Sequence, residues 1–394
     1  MKQIPGGVTA PKGFRAWGVH CGVKSKKADK KDLALILSDQ ECAAAAVYTM
    51  NRVKAAPLYV TMEHLEDGTA WGVAANSGNA NACCPMSHEY AEEMARLAAR
   101  ATGRAPADFV VASTGVIGQT LNIAAIRAGM PAAAARAIMT TDTVKKELAL
   151  ACSIGGRTVT LGAIAKGSGM IHPNMGTMLC FVTTDCAITR EMLSEALREV
   201  VPRTFNRVTV DGDTSTNDMC AVLANGMAGN PLIEWKDDGY TVFLKALRQL
   251  CQELARAIAG DGEGASRLIT CAVREARSEE SAERLAKAVV GSPLVKAAMF
   301  GADTNWGRVL CAMGYSKAPF RPEYVDISFS SAVGAVAVCR GGMGLDFDEE
   351  AARSILSQDE VVIDVHLHEG EHEATCWGCD LTYEYVKING DYRT

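Results

Sequence analysis

The dipeptide Gly176-Thr177 combines two features that acyl chemistry can use, an unhindered carbonyl and a β-hydroxyl directly after it. A threonine hydroxyl is a poor nucleophile without a base, and the α-amine of an N-terminal threonine is one such base. Because that amine has a pKa of about 7.7–8.0, a useful fraction is neutral at cellular pH. An internal threonine reaches this state if its hydroxyl attacks the preceding carbonyl and the resulting ester is hydrolysed. The dipeptide is therefore a candidate for self-cleavage.

The alternative is that Thr177 only begins a strand. The dipeptide lies in KGSGMIHPNMGTMLCFVTTD (166–185), where a Gly/Pro-rich half is followed by an apolar run from Met178. The apolar run predicts a strand after a loop. Taken alone, the dipeptide favours the strand interpretation, because Gly-Thr dipeptides are common.

Two further segments carry residues suited to acyl transfer. ASTGVIGQ (112–119) places Thr114 and Gly115 at the end of an apolar run, where a hydroxyl and an N–H could stabilise an oxyanion. GDGEGASR (260–267) places Glu263 in a glycine-rich loop after a helix, without the Lys-Ser/Thr of a P-loop. We expect its carboxylate to recognise a substrate ammonium group.

The chain resembles the glutamate N-acetyltransferase (ornithine acetyltransferase) family of arginine biosynthesis along almost its whole length. Besides the three segments above, those that carry the resemblance are GGVTAPKGF (6–14), VYTMNRVKAAP (47–57), NSGNANA (76–82), TFNRVTVDGDTSTNDM (204–219), ADTNWGR (302–308) and WGCDLTYEYVKINGDYRT (377–394).

The resemblance implies self-cleavage between Gly176 and Thr177, giving chains 1–176 and 177–394. Thr177 would then take an acetyl group from N2-acetyl-L-ornithine and pass it to L-glutamate in a ping-pong reaction, with Thr114 and Gly115 as the oxyanion hole. It also implies a heterotetramer of two copies of each chain. Gly176 stands where alanine is common in the family, which leaves the cleavage rate open.

By position in the family pattern, the residues that bind substrate are Thr143, Thr177, Lys166, Glu263, Asn389 and Thr394. Lys166 is suited to an α-carboxylate and Glu263 to an ammonium group. Asn389 and Thr394 offer neutral hydrogen bonds. No cofactor is expected, although acetyl-CoA as a second acetyl donor stays open.

Other reactive residues give weaker hypotheses. His366, His368, His372, Cys376 and Cys379 suggest zinc, but the histidines alternate as on a strand face and we expect no metal site. The Cys83-Cys84 pair is interpreted as packing. His172, five residues before Thr177, is interpreted as a bystander, because the α-amine already explains activation.

Composition excludes several classes of protein. The chain has 394 residues, a net charge of -6 and 48% hydrophobic residues, so it lacks the basic face of a nucleic-acid binder. No run reaches the roughly 20 apolar residues of a membrane span, and no signal peptide is recognised. The 14 cysteines are scattered through apolar segments. We expect a reduced, cytoplasmic protein.

Alternating helical and strand patterns predict an α/β or α+β fold. The helices are expected in SHEYAEEMARLAARATG (87–103), TREMLSEALREVVPRTFN (189–206) and VFLKALRQLCQELARAIAGDG (242–262), the last ending at Gly260. EVVIDVHLHEGEHEATCWGCDLTYEYVKI (360–388) alternates with period two and predicts a hairpin or two sheet strands. By resemblance, two sheets are enclosed by helices, as in self-processing aminopeptidases, and a small α/β lobe begins near residue 280.

Two alternative functions stay open at the level of sequence. One is an N-terminal-threonine amidase or aminopeptidase, in which water replaces glutamate as acceptor. The other is a degenerate relative that serves as a scaffold, which the intact Thr177, Thr114 and Glu263 segments disfavour.

Overall fold

The computed structural model describes residues 1–23, 31–130, 145–172 and 178–391. Its strands are β1 (Lys2–Ile4), β2 (Phe14–Val19), β3 (Leu33–Tyr48), β4 (Thr69–Asn76), β5 (Phe109–Ser113), β6 (Lys146–Ile154), β7 (Arg157–Lys166), β8 (Leu179–Thr184), β9 (Val208–Thr209), β10 (Met219–Ala224), β11 (Leu268–Ala276), β12 (Asp326–Ser331), β13 (Gly334–Arg340), β14 (Met343–Gly344), β15 (Glu360–His366) and β16 (His372–Cys379). Its α-helices are α1 (Ala56–His64), α2 (Ser87–Thr102), α3 (Ile123–Gly129), α4 (Arg190–Val200), α5 (Asp238–Gly260), α6 (Glu279–Gly291), α7 (Pro293–Phe300), α8 (Trp306–Gly314), α9 (Glu349–Leu356) and α10 (Tyr383–Asp391).

The strands form two mixed sheets. The first has the order β1-β6-β7-β8-β10-β3-β4-β5, with β2 added on β3, and the second has the order β14-β13-β12-β15-β11-β16-β9. In the first sheet β8 and β10 are parallel, as are β4 and β5, while the other pairs are antiparallel. The predicted class, a mixed α/β fold with two sheets covered by helices, is confirmed.

Helix α5 connects the two sheets by packing against both. Asp237, the residue before the helix, caps its N-terminus, because the Asp237 side chain accepts a hydrogen bond from the Tyr240 amide at 2.8 Å. Its apolar stripe, with Phe243 fully buried, belongs to the same core cluster as Val182 of β8 and Trp377 of β16. The helix ends at Gly260, as predicted, and the loop with Glu263 follows directly.

The sequence patterns of α2 and α4 also predict the observed helices. Helix α2 ends with Gly103 in the left-handed conformation at φ +71°, a common way to close a helix. Helix α4 begins after Thr189, whose side chain accepts a hydrogen bond from the Met192 amide. Both helices bury one apolar stripe on the first sheet, which leaves their charged faces outside.

The pattern of residues 360–388 was correctly interpreted as two strands up to Cys379, but it was wrong for residues 383–388, which belong to helix α10, and the hairpin alternative was also wrong. Strand β15 pairs in parallel with β11, and β16 pairs with the other edge of β11 in antiparallel orientation. The backbone after β15 bonds to β11 instead, with the Leu367 amide donating to the Arg274 carbonyl at 3.1 Å. None of the described helices has the length and hydropathy needed to span a membrane.

Replacement of Phe243 with alanine tests the role of α5. The side chain is fully buried, so the cavity should lower the free energy of unfolding by about 3–5 kcal/mol. We expect a lower denaturation midpoint by circular dichroism at matched protein concentration. The control, Leu232→Ala, removes a side chain that is 51% exposed and should change stability by less than about 0.5 kcal/mol. Equal midpoints for the two variants would contradict this packing.

Candidate active site

The ends of four strands meet where the chain enters β8. Lys166, the last residue of β7, is opposite Leu179, the first residue of β8, and Leu179 is in turn paired with Met219 at the start of β10. Met219 is paired with Tyr48 at the end of β3. The predicted nucleophile Thr177 and its neighbour Gly176 lie outside the described residues. The first described residue after the predicted cleavage site is Met178, whose carbonyl accepts a hydrogen bond from the Met219 amide at 3.1 Å.

Thr114 and Gly115 follow β5, whose last residue, Ser113, is paired with Asn76 of β4. The Thr114 amide donates to the Asn76 carbonyl at 2.9 Å, which continues the pairing of β4 with β5 by one residue. Gly115 has a φ of +135°, and a Cβ added there would lie 2.7 Å from the Asn79 nitrogen. The backbone of the 76–79 loop therefore leaves room for glycine and for no larger residue.

The structure brings the predicted residues Lys166 and Thr114 together. The Nζ atom of Lys166 donates to Oγ1 of Thr114 at 3.3 Å, although the two residues are 52 apart in sequence. Lys166 is only 5% exposed. A cation this deeply buried strengthens electrostatic attraction to any carboxylate that enters, because the local dielectric constant is low.

Glu263 approaches the same region from the other side. Its amide donates to the Ser168 carbonyl at 3.0 Å, two residues after Lys166. A Cβ added at Gly169 would lie 2.3 Å from the Glu263 carboxyl carbon, so this glycine allows the close approach. The Glu263 residue is 8% exposed. The segment 166–169 thus carries the Lys166 ammonium group at its start and contacts the Glu263 residue at its end.

Asn389 on α10 contacts Glu263, the other predicted substrate-binding residue of this region. Its Nδ2 atom donates to Glu263 Oε2 at 2.9 Å and to the Tyr385 carbonyl at 3.0 Å. The hydroxyl of Thr382 donates to the Gly264 carbonyl at 2.6 Å, which fixes the start of α10 on the Glu263 loop. The other three predicted substrate-binding residues, Thr143, Thr177 and Thr394, lie outside the described residues.

His172 is held by Thr209, with its Nδ1 atom 3.0 Å from the threonine hydroxyl oxygen. Burial lowers the pKa of His172 to about 4, and the positive charge of Lys287 adds to this effect. The imidazole is therefore neutral at pH 7. The interpretation of His172 as a bystander stays a prediction.

Several residues of the site were not singled out from the sequence. Asp211 accepts hydrogen bonds from the Met170 amide at 2.6 Å and the Ile171 amide at 2.8 Å, a few residues before the predicted cleavage site. Asn217 donates from Nδ2 to two carbonyls of the Thr114 region, and Asp218 is fully enclosed. All three belong to TFNRVTVDGDTSTNDM, which matched the family pattern as a whole. Its density of Asp, Thr and Asn is the signal that could have found them.

The rival zinc cluster is divided by the strand geometry. Cys376 and Cys379 are three residues apart on β16, so their side chains point to opposite faces of the sheet, into different core clusters. The two thiols cannot bind one ion together. His368 contacts carboxylates instead, at 2.7 Å from Glu275 and 3.1 Å from Asp326.

The Cys83-Cys84 pair departs from its predicted packing role. Cys83 is exposed and has a φ of +57°. The backbone there turns the side chain to solvent, so the packing interpretation was wrong for Cys83.

Elsewhere in the described residues, Glu63, His88 and Glu92 bring three potential metal-ligand atoms within 4.8 Å of one another. Two of these residues are exposed, and exposed acidic groups commonly cluster without an ion. The group therefore does not define a metal site.

Two glycines near Thr114 provide a matched test of the loop geometry. Gly118→Ala should cost about 1–2 kcal/mol, because φ is +77° but no atom lies within 4 Å of the added Cβ. Gly115→Ala adds a clash with the backbone of residues 78 and 79, so we expect a clearly larger drop in melting temperature. Equal melting temperatures for both variants would show that the loop can move away.

Comparison with known proteins agrees with the geometry. Residues 15–394 match the model of the ArgJ family. The arginine biosynthesis bifunctional protein ArgJ of Symbiobacterium thermophilum is 54% identical over 406 aligned positions that cover 100% of each chain. The protein of the same name from Geobacillus kaustophilus is 47% identical and covers 99% of this chain and 96% of its own.

A solved structure is also similar. The crystal structure of the arginine biosynthesis bifunctional protein ArgJ from Bacillus halodurans is 45% identical, with a TM-score of 0.52, and the match covers 54% of this chain and 98% of that chain. The family predicted from the sequence is confirmed. The chain belongs to the ArgJ family and is an acyltransferase of arginine biosynthesis.

Proposed function

We propose that the protein transfers an acetyl group from N2-acetyl-L-ornithine to L-glutamate through an acetyl ester on Thr177. The observation that carries the proposal is the 3.3 Å contact between Lys166 Nζ and Thr114 Oγ1, made by the residue that is paired with the first residue of β8. It joins a predicted carboxylate-binding residue to a predicted oxyanion donor from a remote strand. The roles of Thr177, Thr143 and Thr394 rest on the family pattern.

Self-cleavage between Gly176 and Thr177 is proposed as the activating step. Of the 394 residues, removal of the first 176 leaves 218, which is 55% of the chain. The Bacillus halodurans crystal chain matches 54% of this chain while 98% of its own length is covered. A solved chain of about this length supports a family in which a part of this size exists as a separate polypeptide.

In the proposed cleavage, the Thr177 hydroxyl attacks the Gly176 carbonyl carbon. The C–N bond breaks, the nitrogen takes a proton to become the α-amine, and an ester remains. Water hydrolyses that ester, which leaves the Gly176 carboxylate and the free Thr177 hydroxyl. The products are the chains 1–176 and 177–394.

In the proposed transfer, the Thr177 hydroxyl attacks the acetyl carbonyl of acetyl-ornithine while the α-amine takes its proton. Thr114 and Gly115 stabilise the oxyanion, an effect worth about 2.7–4 kcal/mol per donor. Collapse expels ornithine, whose α-amine receives the proton. The α-amine of glutamate then attacks the acetyl ester, so that acetylglutamate leaves and Thr177 regains its proton.

The buried charges of the site support a substrate with a carboxylate and an ammonium group. Lys166 is assigned to the α-carboxylate and Glu263 to the ornithine side-chain ammonium. Because Asn389 donates to Glu263 Oε2 at 2.9 Å, it fixes the direction of that carboxylate and leaves the second oxygen for the ligand. The Asn389 side-chain amide is neutral, so it orients the Glu263 carboxylate without supplying the positive charge that the substrate ammonium group would bring.

The assembly and second donor are proposed by family resemblance. We place two copies of each cleaved chain in a cytoplasmic heterotetramer, with a small lobe from about residue 280. The relatives' name contains the word bifunctional, which supports acetyl-CoA as a further acetyl donor. No resident cofactor is required by the proposed chemistry.

Replacement of Thr177 tests cleavage and catalysis together. We expect Thr177→Ala to run as one inactive chain on a denaturing gel, whereas the wild-type protein gives chains of 176 and 218 residues. Thr177→Ser keeps a hydroxyl and should still cleave, with intact mass confirming the same cut. A wild-type protein that is uncleaved and fully active would refute the proposal. Ornithine release without glutamate, at an equal rate, would identify a hydrolase.

Replacement of Glu263 with glutamine tests substrate recognition. Loss of the negative charge should raise KM for acetyl-ornithine by about 10- to 100-fold, since a hydrogen bond to a charged group contributes about 1.5–3 kcal/mol. Cleavage should survive. The control Glu280→Gln changes a side chain that is 79% exposed on α6 and should leave KM unchanged. Loss of cleavage in Glu263→Gln would instead assign Glu263 to processing or folding.

A further inference from the structure

The glycine-rich loop that carries Glu263 borders an open space on one of its sides. Gly262 and Gly264, which flank Glu263, line a cavity of about 780 Å³ together with Lys146 and Asp261. A glycine has no side chain that could pack there, and its backbone is freer than that of other residues. On this side, the position of the loop therefore depends on the polar contacts that its neighbours make.

Asp261, two residues before Glu263, forms a buried ion pair with Lys146. The Lys146 Nζ atom lies 2.5 Å from Asp261 Oδ2, and the two side chains are only 1% and 9% exposed. The residues are 115 apart in sequence. Each charge needs the other, because breaking a buried pair by removing one partner leaves an uncompensated charge in the interior. The contact therefore ties the end of α5 to the start of β6.

Stability alone is a weak explanation for this ion pair. Apolar residues of similar volume can often replace a buried ion pair without loss of stability, or even with a gain. Asp261 also follows Gly260, the last residue of α5. A carboxylate in this place is unfavourable for the helix, because it meets the negative end of the helix dipole. An acid at this position is better explained by the loop that it holds in place.

Ser168 connects the same loop to the strand that ends at Lys166. Its hydroxyl donates to the Asp261 carbonyl at 2.7 Å, and its own carbonyl accepts from the Glu263 amide at 3.0 Å. The two bonds lie on either side of Gly262, so they fix both ends of the short segment 261–263. Ser168 is 1% exposed. The Glu263 loop is thus held against residues 166–168 by buried polar contacts.

The ion pair and Lys166 are fixed by one pair of strands. Lys146 is the first residue of β6 and is paired with Ala165 of β7, directly before Lys166. Lys166 itself is held on the other side by its pairing with Leu179 of β8. Loss of the ion pair would therefore leave Lys166 in its place and release only the loop with Glu263. The contact sets the position of one charged residue relative to the other.

The spacing of these two charges has a direct meaning for the substrate. Lys166 is assigned to the α-carboxylate of acetyl-ornithine and Glu263 to its side-chain ammonium group. Each methylene in the side chain of an amino acid changes the separation of these two groups. A fixed spacing between Lys166 and Glu263 would therefore select one side-chain length.

We propose that Lys146 and Asp261 are positioning residues that set the spacing between Lys166 and Glu263 and so select the length of the acetyl donor. The inference rests on the proposed function, which assigns Lys166 and Glu263 to the two ends of acetyl-ornithine. Neither member of the ion pair touches the substrate in this role. Since cleavage after residue 176 places Lys146 and Asp261 in different products, the ion pair also joins the two chains of the active enzyme.

The double variant Lys146→Met/Asp261→Asn tests this role without leaving a buried charge unpaired. We compare kcat/KM for N2-acetyl-L-ornithine and for N2-acetyl-L-lysine, which is one methylene longer, with L-glutamate as the acceptor. The wild-type preference for acetyl-ornithine should be about 10- to 200-fold, the usual discrimination for one methylene. In the double variant it should fall by about tenfold or more, because the released loop can move into the cavity and admit the longer donor. Cleavage should persist.

The single variants show whether the two residues act as one unit. Lys146→Met and Asp261→Asn should each lower the preference for acetyl-ornithine. The double variant should lower it no further than the more severe single variant, since all three lose the same contact. If a single variant folds poorly because of its unpaired buried charge, the double variant alone still decides the question.

Asp185→Asn is the matched control. Asp185 is also a buried acid, 1% exposed, and its oxygens accept from the Thr160 amide at 2.7 Å and the Lys12 amide at 3.2 Å. It follows β8, at the opposite end of that strand from the residue paired with Lys166. The variant should lower the melting temperature and leave the preference for acetyl-ornithine unchanged.

The outcomes separate this inference from the proposed function. A double variant that is cleaved and glutamate-dependent but keeps the wild-type preference would overturn the inference. A wild-type enzyme that uses both donors equally would also overturn it, because no length is then selected. A double variant that does not fold, or that loses both donors equally, would assign the ion pair to stability alone. A wild-type protein that is not cleaved, or that needs no glutamate, would contradict the proposed function instead.

Discussion

The parallel pairing of β8 with β10 is the constraint on which the site depends. It fixes Met219 opposite Leu179, and the antiparallel strand β7 on the other side of β8 fixes Lys166 opposite the same residue. A slip of one residue would turn every side chain of β8 to the other face. The register is secure because both faces of β8 are buried, with Phe181 and Val182 in different core clusters. The positions of Lys166 and Asp218 thus follow from packing remote from the chemistry.

The buried polar residues around the site serve mainly to hold loops. Asn217 donates to the Ala80 carbonyl at 2.7 Å and the Ser113 carbonyl at 2.8 Å, which ties the entry of β10 to the end of β5. Asp211 holds the loop at Met170 and Ile171 by accepting hydrogen bonds from their amides. Each such group is satisfied by the backbone, so its burial carries little penalty. Asp218 is also buried, and burial raises the pKa of its carboxyl well above the usual range, although the Thr49 hydroxyl and the Met178 amide oppose this rise in part.

The local elements were largely predictable, while their partners were not. The cap at Thr189, the glycine after α2 and the end of α5 at Gly260 are encoded within a few residues, and the structure has them. Period two predicted β15 and β16, but β11 separates them in the sheet, and no short-range pattern records a strand that is about ninety residues away. Pairings of this kind depend on tertiary packing.

The same division holds for the site residues. The family pattern identified Lys166, Thr114, Glu263 and Asn389, and the structure brings them together in two contacting pairs. Asp218 was not singled out because burial leaves no local sign in a motif rich in Asp and Thr.

The strand register also has a consequence for the proposed cleavage. Strands β8 and β10 would belong to the C-terminal product, yet they are flanked by β7 and β3 of the N-terminal product. Each flanking contact is a ladder of six residue pairs. A cut at residue 176 would therefore free an amine without separating the chains, since the sheet that aligns the site also holds both products.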